Sequence, residues 1–467
     1  MKTYLLYRIS IVLLFTLVLV GAGIIFTQGS PVTASSFQST FEANFPWEKQ
    51  YVQQDLETPL DVGKYISLAL RPYDDAPVMS YYDATNGNLM VAISAGGGAG
   101  NCGTDNDWFC YPIDGTGSDE DVGRSSSIDI WGTEEDWRWG ISYYDANWHG
   151  VKAVFYACSF DICMPPHIVI IAYPVTWTGF ILGQYTSIKF NSGGVASIAY
   201  YAYNPMGGDW LTYAYPVASG GNCGGGDDSY LWQCDIIDSG DQLGQYASLD
   251  FSWDDRPYIA YYDGTGGNLK LAHFTGSGNC GPADTWQCDL IDGADGSDVG
   301  KYASLIAPQS SGAATRIAYY DQTNHHLKYY SSAGLNMIVD EMGSSIEPMG
   351  ISMTTDNDNR PVIAYQKIEP VFFRRVLRLA RLYYVYHLPH GNCGETPPGY
   401  SIQIWQCDTL DYGGLHTHEA DFTSVKVDSN GRVRIAYTED ALEELATSLK
   451  IIYQTNFHVF MPLATKQ

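Results

Sequence analysis

Positive charge is what this chain has least of. Its 467 residues hold 25 Lys and Arg against 52 Asp and Glu, a formal net charge of −27 at pH 7. A surface that acidic repels nucleic-acid phosphates and anionic lipid, so neither is an expected partner. Histidine is sparse as well, at ten, and no Gly-x-Ser-x-Gly, His-Glu-x-x-His or phosphate-loop motif occurs. No stretch carries a 3.6-residue apolar period, which removes helical repeats from consideration.

What the chain does have is a recurring unit. Residues 243–292 contain YASLDFSW, an acidic turn, RPYIAYYD, a Gly-rich turn, NLKLAHF, a Cys-bearing turn and WQCDLID. Four short apolar or aromatic runs punctuated by Gly, Asp, Asn and Pro are the pattern of four antiparallel strands. A serine in the first run marks the unit at Ser67, Ser127, Ser187, Ser248, Ser304, Ser352 and Ser424, with spacings of 60, 60, 61, 56, 48 and 72 residues. The second run agrees: Tyr81-Tyr82, Tyr143-Tyr144, Tyr200-Tyr201, Tyr261-Tyr262 and Tyr319-Tyr320 are doublets, and the last two copies keep Tyr365 and Tyr437.

Seven copies of a four-strand unit predict an all-β fold, a seven-bladed β-propeller of four-stranded antiparallel blades over residues 47–455. In repeat number and strand pattern the chain resembles the seven-bladed propeller superfamily. The sialidase Asp-box, the WD dipeptide and the kelch glycine doublet are not repeated, so the resemblance implies a fold and no functional subfamily. Each copy ends in a strand such as WQCDIID, but none follows LKIIYQT in the seventh. Residues 51–56, ahead of the first copy, are expected to supply it and to close the ring.

Residues 1–34 read as a signal peptide: Lys2 and Arg8, an apolar run over 9–26, and a small-residue cleavage site at Val32-Thr33-Ala34. The run is about as long as a minimal membrane span, so an uncleaved anchor is the alternative. Either way the propeller is expected to be secreted or held at the cell surface. Residues 35–46 form a lead-in and 456–467 a tail. Ten cysteines fall into the local pairs 102/110, 158/163, 223/234, 280/288 and 393/407. Four pairs begin in an Asn-Cys-Gly turn between the third and fourth strands, which predicts a disulfide inside each blade. The pair 158/163 lacks that motif.

The acid is concentrated in two sets of turns, those leading from one unit to the next and those between the second and third strands. In a four-stranded blade both sets lie on one face, opposite the disulfide turns. Asp292-Gly-Ala-Asp295-Gly-Ser-Asp298 is the best candidate there for a hard cation such as Ca²⁺, because its carboxylates are spaced two or three apart around glycine. Aromatic faces beside carboxylates suit sugars, which offer apolar ring faces and hydroxyls together. The expected ligand-facing set closes the second strand: Tyr82-Asp83, Tyr144-Asp145, Tyr262-Asp263 and Tyr320-Asp321. The sixth unit is irregular, with Arg374, Arg375, Arg378 and Arg381 in a lengthened third strand. The reading is a monomeric binding or adhesion module for an extracellular glycan or a surface protein. A glycan-acting hydrolase or lyase with carboxylates in the funnel is one alternative, and a protein–protein interaction scaffold is the other.

Overall fold

The computed structural model describes residues 47–53, 60–117, 119–159, 162–174, 179–225, 231–343, 350–369, 374–382, 391–397, 402–412, 417–441 and 446–455. The expected signal peptide, lead-in and tail lie outside them. The chain folds into seven antiparallel sheets, each with its strands in sequence order apart from the last. Blade 1 is typical: Val62–Leu70, Pro77–Asp83, Asn88–Ser94 and Trp108–Asp114. The first strands of successive blades pack on one another around a central axis. That of blade 7, Thr417–Val427, touches both Ile351–Thr355 of blade 6 and Val62–Leu70 of blade 1. This is the expected seven-bladed propeller.

The ring closes through its ends. Trp47–Gln53 pairs antiparallel with Ala446–Gln454, Trp47 opposite Gln454 and Tyr51 opposite Lys450, and becomes the outer strand of blade 7. The strand therefore begins four residues before the expected 51–56, and residues 54–59 lie outside the described set. Tryptophan sets the register. Trp108, Trp232, Trp286 and Trp405, all buried, each open an outer strand, and Trp47 takes the same place in the seventh blade.

Three devices recur between blades. Nearest the axis, each marker serine accepts the backbone N–H of the residue after the next blade's marker. Ile128 donates to Ser67 (3.1 Å), Ile188 to Ser127 (3.2 Å), Leu249 to Ser187 (3.0 Å) and Leu305 to Ser248 (3.0 Å). Met353 donates to Ser304 (2.9 Å), Val425 to Ser352 (3.1 Å) and Leu68 to Ser424 (2.9 Å), which completes the circle.

Farther out, the first tyrosine of the doublet donates to the aspartate that ends the previous blade's outer strand, and a cation on the third strand joins it. Tyr143 and Lys152 meet Asp114 at 2.7 and 3.1 Å, while Tyr261 with Lys270 meets Asp238, and Tyr319 with Lys328 meets Asp292. Asp340 accepts from three side chains, Tyr365 (2.6 Å), Lys367 (2.9 Å) and Arg378 (2.8 Å). At the closure Gln53 stands in for the aspartate and accepts from Tyr81. The arginines of blade 6 serve this network: Arg378 pairs with Asp340, Arg381 with Asp408 at 2.8 Å, and Arg375 lies 3.9 Å from Asp440.

On the opposite face the disulfides 102–110, 223–234, 280–288 and 393–407 form inside their own blades as expected. Cys158 is also disulfide-bonded, and its backbone stands opposite Cys163. The Asn of each Asn-Cys-Gly turn clamps the second cysteine's backbone; Asn279 accepts from Cys288 N–H at 2.7 Å and donates to its carbonyl at 3.1 Å. In blades 3 and 4 the Gly then latches the preceding blade, Gly224 N–H to Ile171 O and Gly281 N–H to Ile237 O, both at 2.8 Å. Disulfides of this kind mark a protein folded in an oxidising, non-cytoplasmic compartment. Among the described residues no helix is long and apolar enough to cross a membrane.

Removing the carboxylate of Asp340 leaves Lys367 and Arg378 without their buried counter-ion. Asp340→Ala should therefore cost about 3–5 kcal/mol, read as a drop in the urea midpoint at constant slope. A variant as stable as the parent would show that these ion pairs do not hold blades 5 and 6 together.

Candidate functional site

A glycine two residues ahead of a tyrosine recurs at the start of the first strand: Gly63/Tyr65, Gly183/Tyr185, Gly244/Tyr246 and Gly300/Tyr302. Here the ladder to the second strand slips twice, at Val299/Lys301 and Lys301/Ser304 in blade 5. Gly300 lies at φ +112°, and a Cβ on it would come within 2.7 Å of the Leu269 backbone in blade 4. Only glycine fits that approach. The tyrosines are then forced into the left-handed region, with φ of 54°, 54°, 53° and 54° for Tyr65, Tyr185, Tyr246 and Tyr302. Ser125 of blade 2 does the same at 55°. Side-chain residues at positive φ are uncommon and costly, and they persist where the surrounding fold over-determines them.

Each blade brings one residue to the axis, five of them, Tyr65, Ser125, Tyr185, Tyr246 and Tyr302, through this positive-φ bulge. Tyr65, Ser125, Tyr185, Tyr246, Tyr302, Gly350 and Phe422 line a single cavity of about 240 Å³ with the residues that follow them. Five of the seven are aromatic, and they fall into two arcs. Tyr185–Tyr246 and Tyr246–Tyr302 have ring centroids 4.5 Å apart and are tilted by 47° and 53°. Tyr65 and Phe422 form the second arc, 5.0 Å apart. Ser125 and Gly350 leave a gap between the arcs at blades 2 and 6, so the aromatic walls bound a slot across the axis. Hydroxyls hold the bulge in place: Ser126 donates to Tyr65 O at 2.7 Å and Thr186 to Ser125 O at 2.6 Å.

A second tier lies four residues farther along the same strands, where Asp129, Lys189, Asp250 and Lys426 line the channel. Asp129 and Asp250 extend the serine circle, accepting N–H groups of the next blade at Phe190 (2.9 Å) and Ala307 (2.8 Å). Lys189 lies 3.4 Å from Asp129, which raises the lysine's pKa against the cost of burial. Burial raises Asp250 in turn, with Lys189 opposing. Lys426 has the opposite fate. The charge on Lys189, then enclosure by the inner strands, push it down to about 8 although Asp129 and Asp250 pull the other way.

The residues expected from the sequence lie one layer behind this slot. Tyr82, Tyr144, Tyr262 and Tyr320 are buried, as are Asp83, Asp145 and Asp321, while Asp263 is half-buried. Tyr82 and Tyr262 back the slot rings Tyr65 and Tyr246 at 6.3 and 6.1 Å. Their hydroxyls donate to Asp121 (2.8 Å) and Asp298 (2.6 Å), and those of Tyr144 and Tyr320 pair with His149 and His325. The aspartates close the following turns: Asp83 accepts from Thr85 and Asn86, Asp145 from Asn147, Asp263 from Gly266, and Asp321 from Asn324. Of the eight, Asp321 borders a cavity of about 450 Å³, shared with Asn324, His326, Lys328, Asn336 and Glu395.

The candidate Ca²⁺ carboxylates are engaged separately. Asp292 belongs to Tyr319 and Lys328, Asp298 to Tyr262, and Asp295 is exposed, accepting from its own loop at Ser297 N–H. Burial alone would raise Asp292, but the bonds from Lys328 and Tyr319 hold its carboxyl below the usual carboxylate range. Among the described residues no three His, Cys, Asp or Glu side chains are placed to share a metal ion.

No family model matches the chain, and no curated protein does. Solved structures do. AofleA from Arthrobotrys oligospora aligns at 10% identity over 87% of this chain and 86% of its own, with a TM-score of 0.40. A NanB sialidase from Streptococcus pneumoniae aligns at 11% over 87% and 70%, with a TM-score of 0.41. The arabinanase Arb43A of Bacillus subtilis aligns at 10% over 70% and 92%, with a TM-score of 0.30.

Two predictions follow from the tiers. Lys426 binds fewer protons folded than unfolded between about 8 and its ordinary 10.5, so its contribution to stability improves as pH rises through that window. Lys426→Met should melt above the parent at pH 7, with the gap closing toward pH 10; an equal gap at both pH values contradicts the assignment. Gly300→Ala should be destabilised by more than the roughly 1 kcal/mol that Gly and Ala differ elsewhere, because both the φ and the Leu269 contact oppose a Cβ. A neutral Gly300→Ala would remove the reason for the bulge.

Proposed function

We propose that this protein is an exported binding module that takes the terminal residue of an extracellular glycan into its axial slot. One observation carries the reading: five aromatic side chains converge on one cavity, four of them, Tyr65, Tyr185, Tyr246 and Tyr302, through a backbone conformation that costs the fold stability. Rings beside hydroxyls, here Ser125, Ser126, Thr186 and Thr423, match the alternation of apolar faces and hydroxyls on a pyranose. A volume of about 240 Å³ lies below the range of drug-sized ligand sites, which favours the end of a chain over its length. The slot tyrosines sit near the start of the first strands, into which the acidic turns lead. Binding is preferred to hydrolysis because Asp129 and Asp250, the carboxylates nearest the axis, each spend an oxygen on a neighbouring blade and share Lys189 between them.

The test is a glycan-array screen of the secreted chain followed by calorimetry on any sugar retained, in calcium and in EDTA. The parent should bind a defined terminal sugar equally in both, since the candidate carboxylates Asp292, Asp295 and Asp298 are already engaged. Tyr246→Ala with Tyr302→Ala should weaken binding by about tenfold or more, the scale of two lost aromatic contacts, while Asp295→Asn leaves it unchanged. Array silence, or a double variant that binds like the parent, would contradict the proposal.

A further inference from the structure

Blade 2 departs from the repeat on the disulfide face. Its third strand, Gly150–Ser159, has ten residues against six to nine in the other blades, and its outer strand, His167–Ala172, opens with His167. Register makes the substitution plain: Phe155 faces His167 where Phe274 of blade 4 faces Trp286. Between this altered edge and blade 3 opens a cavity of about 660 Å³, the size of a small-molecule site. Its walls are apolar, with Phe155 and Trp232 stacked at 6.2 Å and an interplanar angle of 14°, and the largely exposed Met164 at the lip.

One cation stands in that wall. The guanidinium of Arg138 lies over Trp131 at 4.8 Å, and its ion pair with Asp136 is long at 3.6 Å. Its Nε is buried and reaches no hydrogen-bond acceptor. A part-exposed guanidinium held by one long ion pair, in the wall of an aromatic pocket, is the arrangement that holds an apolar anion, and on a chain of net charge −27 such a site does not arise from general electrostatics.

We propose that the cleft between blades 2 and 3 is a second binding site, for a planar apolar molecule that carries one anionic group. The apolar body packs on Phe155, Trp232 and Met164, and the anion accepts from Arg138. The site is separate from the axial slot, with which it shares no lining residue.

The test is a fluorescence titration of the full chain with 1-anilinonaphthalene-8-sulfonate and with its neutral parent, N-phenyl-1-naphthylamine. One molecule of the sulfonate should bind saturably. Arg138→Gln should weaken the sulfonate about tenfold, the scale of one charge-assisted hydrogen bond, and leave the neutral probe within twofold; Arg138→Lys should restore part of the loss. Ala157→Trp, which fills the cleft, should abolish both. Melting curves identify any variant that has lost its fold, and Arg256→Gln, exposed on blade 4, serves as the unaffected control. Sulfonate binding that ignores both Arg138→Gln and Ala157→Trp in folded protein would overturn the proposal, and so would no saturable binding at all.

Discussion

The structure depends on a circle of seven hydrogen bonds at its axis. Each marker serine presents its hydroxyl to an amide of the next blade, and the seventh returns to the first. Those amides belong to innermost strands and lie between sheets, where an unpaired N–H costs about 1–3 kcal/mol. A larger side chain would hold the first strands apart, and alanine would orphan the amide. This explains why a small hydroxyl residue persists at one position while the surrounding spacing varies from 48 to 72 residues.

With the axis fixed, the rest of each blade can vary. The tyrosine–aspartate–cation contacts tie blades at mid-radius, yet they change composition: Gln53 serves one interface, and Arg378 replaces lysine at another. The Asn-Cys-Gly turns carry a disulfide on the far face of four blades, and blade 2 lacks the motif. The two proposed sites follow the same division. The axial slot lies beside the constant serine circle and owes its shape to positive-φ residues held there by neighbouring blades. The cleft beside blade 2 is built where the repeat gives way.

Much of this was legible in the sequence. The serine and tyrosine markers carried the blade count, and the Asn-Cys-Gly turns carried the disulfides, because both motifs repeat with their chemistry intact. Residues 51–56 were placed four residues late because WEKQYVQ shares little with WQCDLID beyond Trp47 and a buried Val52. The slot tyrosines stood in plain view in YISL, YTSI and YASL, but their role did not. It depends on a positive φ, which no residue type announces except the glycine two places earlier, and an isolated glycine inside a strand is the usual sign of a bulge or a close backbone approach. The Tyr-Asp pairs ending the second strands drew attention by composition, and the fold uses them to close turns and to back the slot.

The central claim is that the axis is one closed, cooperative ring that holds the slot in a preset shape. Native-state hydrogen exchange at the amides of Leu68, Ile128, Ile188, Leu249, Leu305, Met353 and Val425 tests it directly. All seven should exchange only through global unfolding, with one free energy and one denaturant dependence. Earlier opening at Leu68 or Val425, on either side of blade 7, would mean that the ring parts at its closure, and the account would fail there.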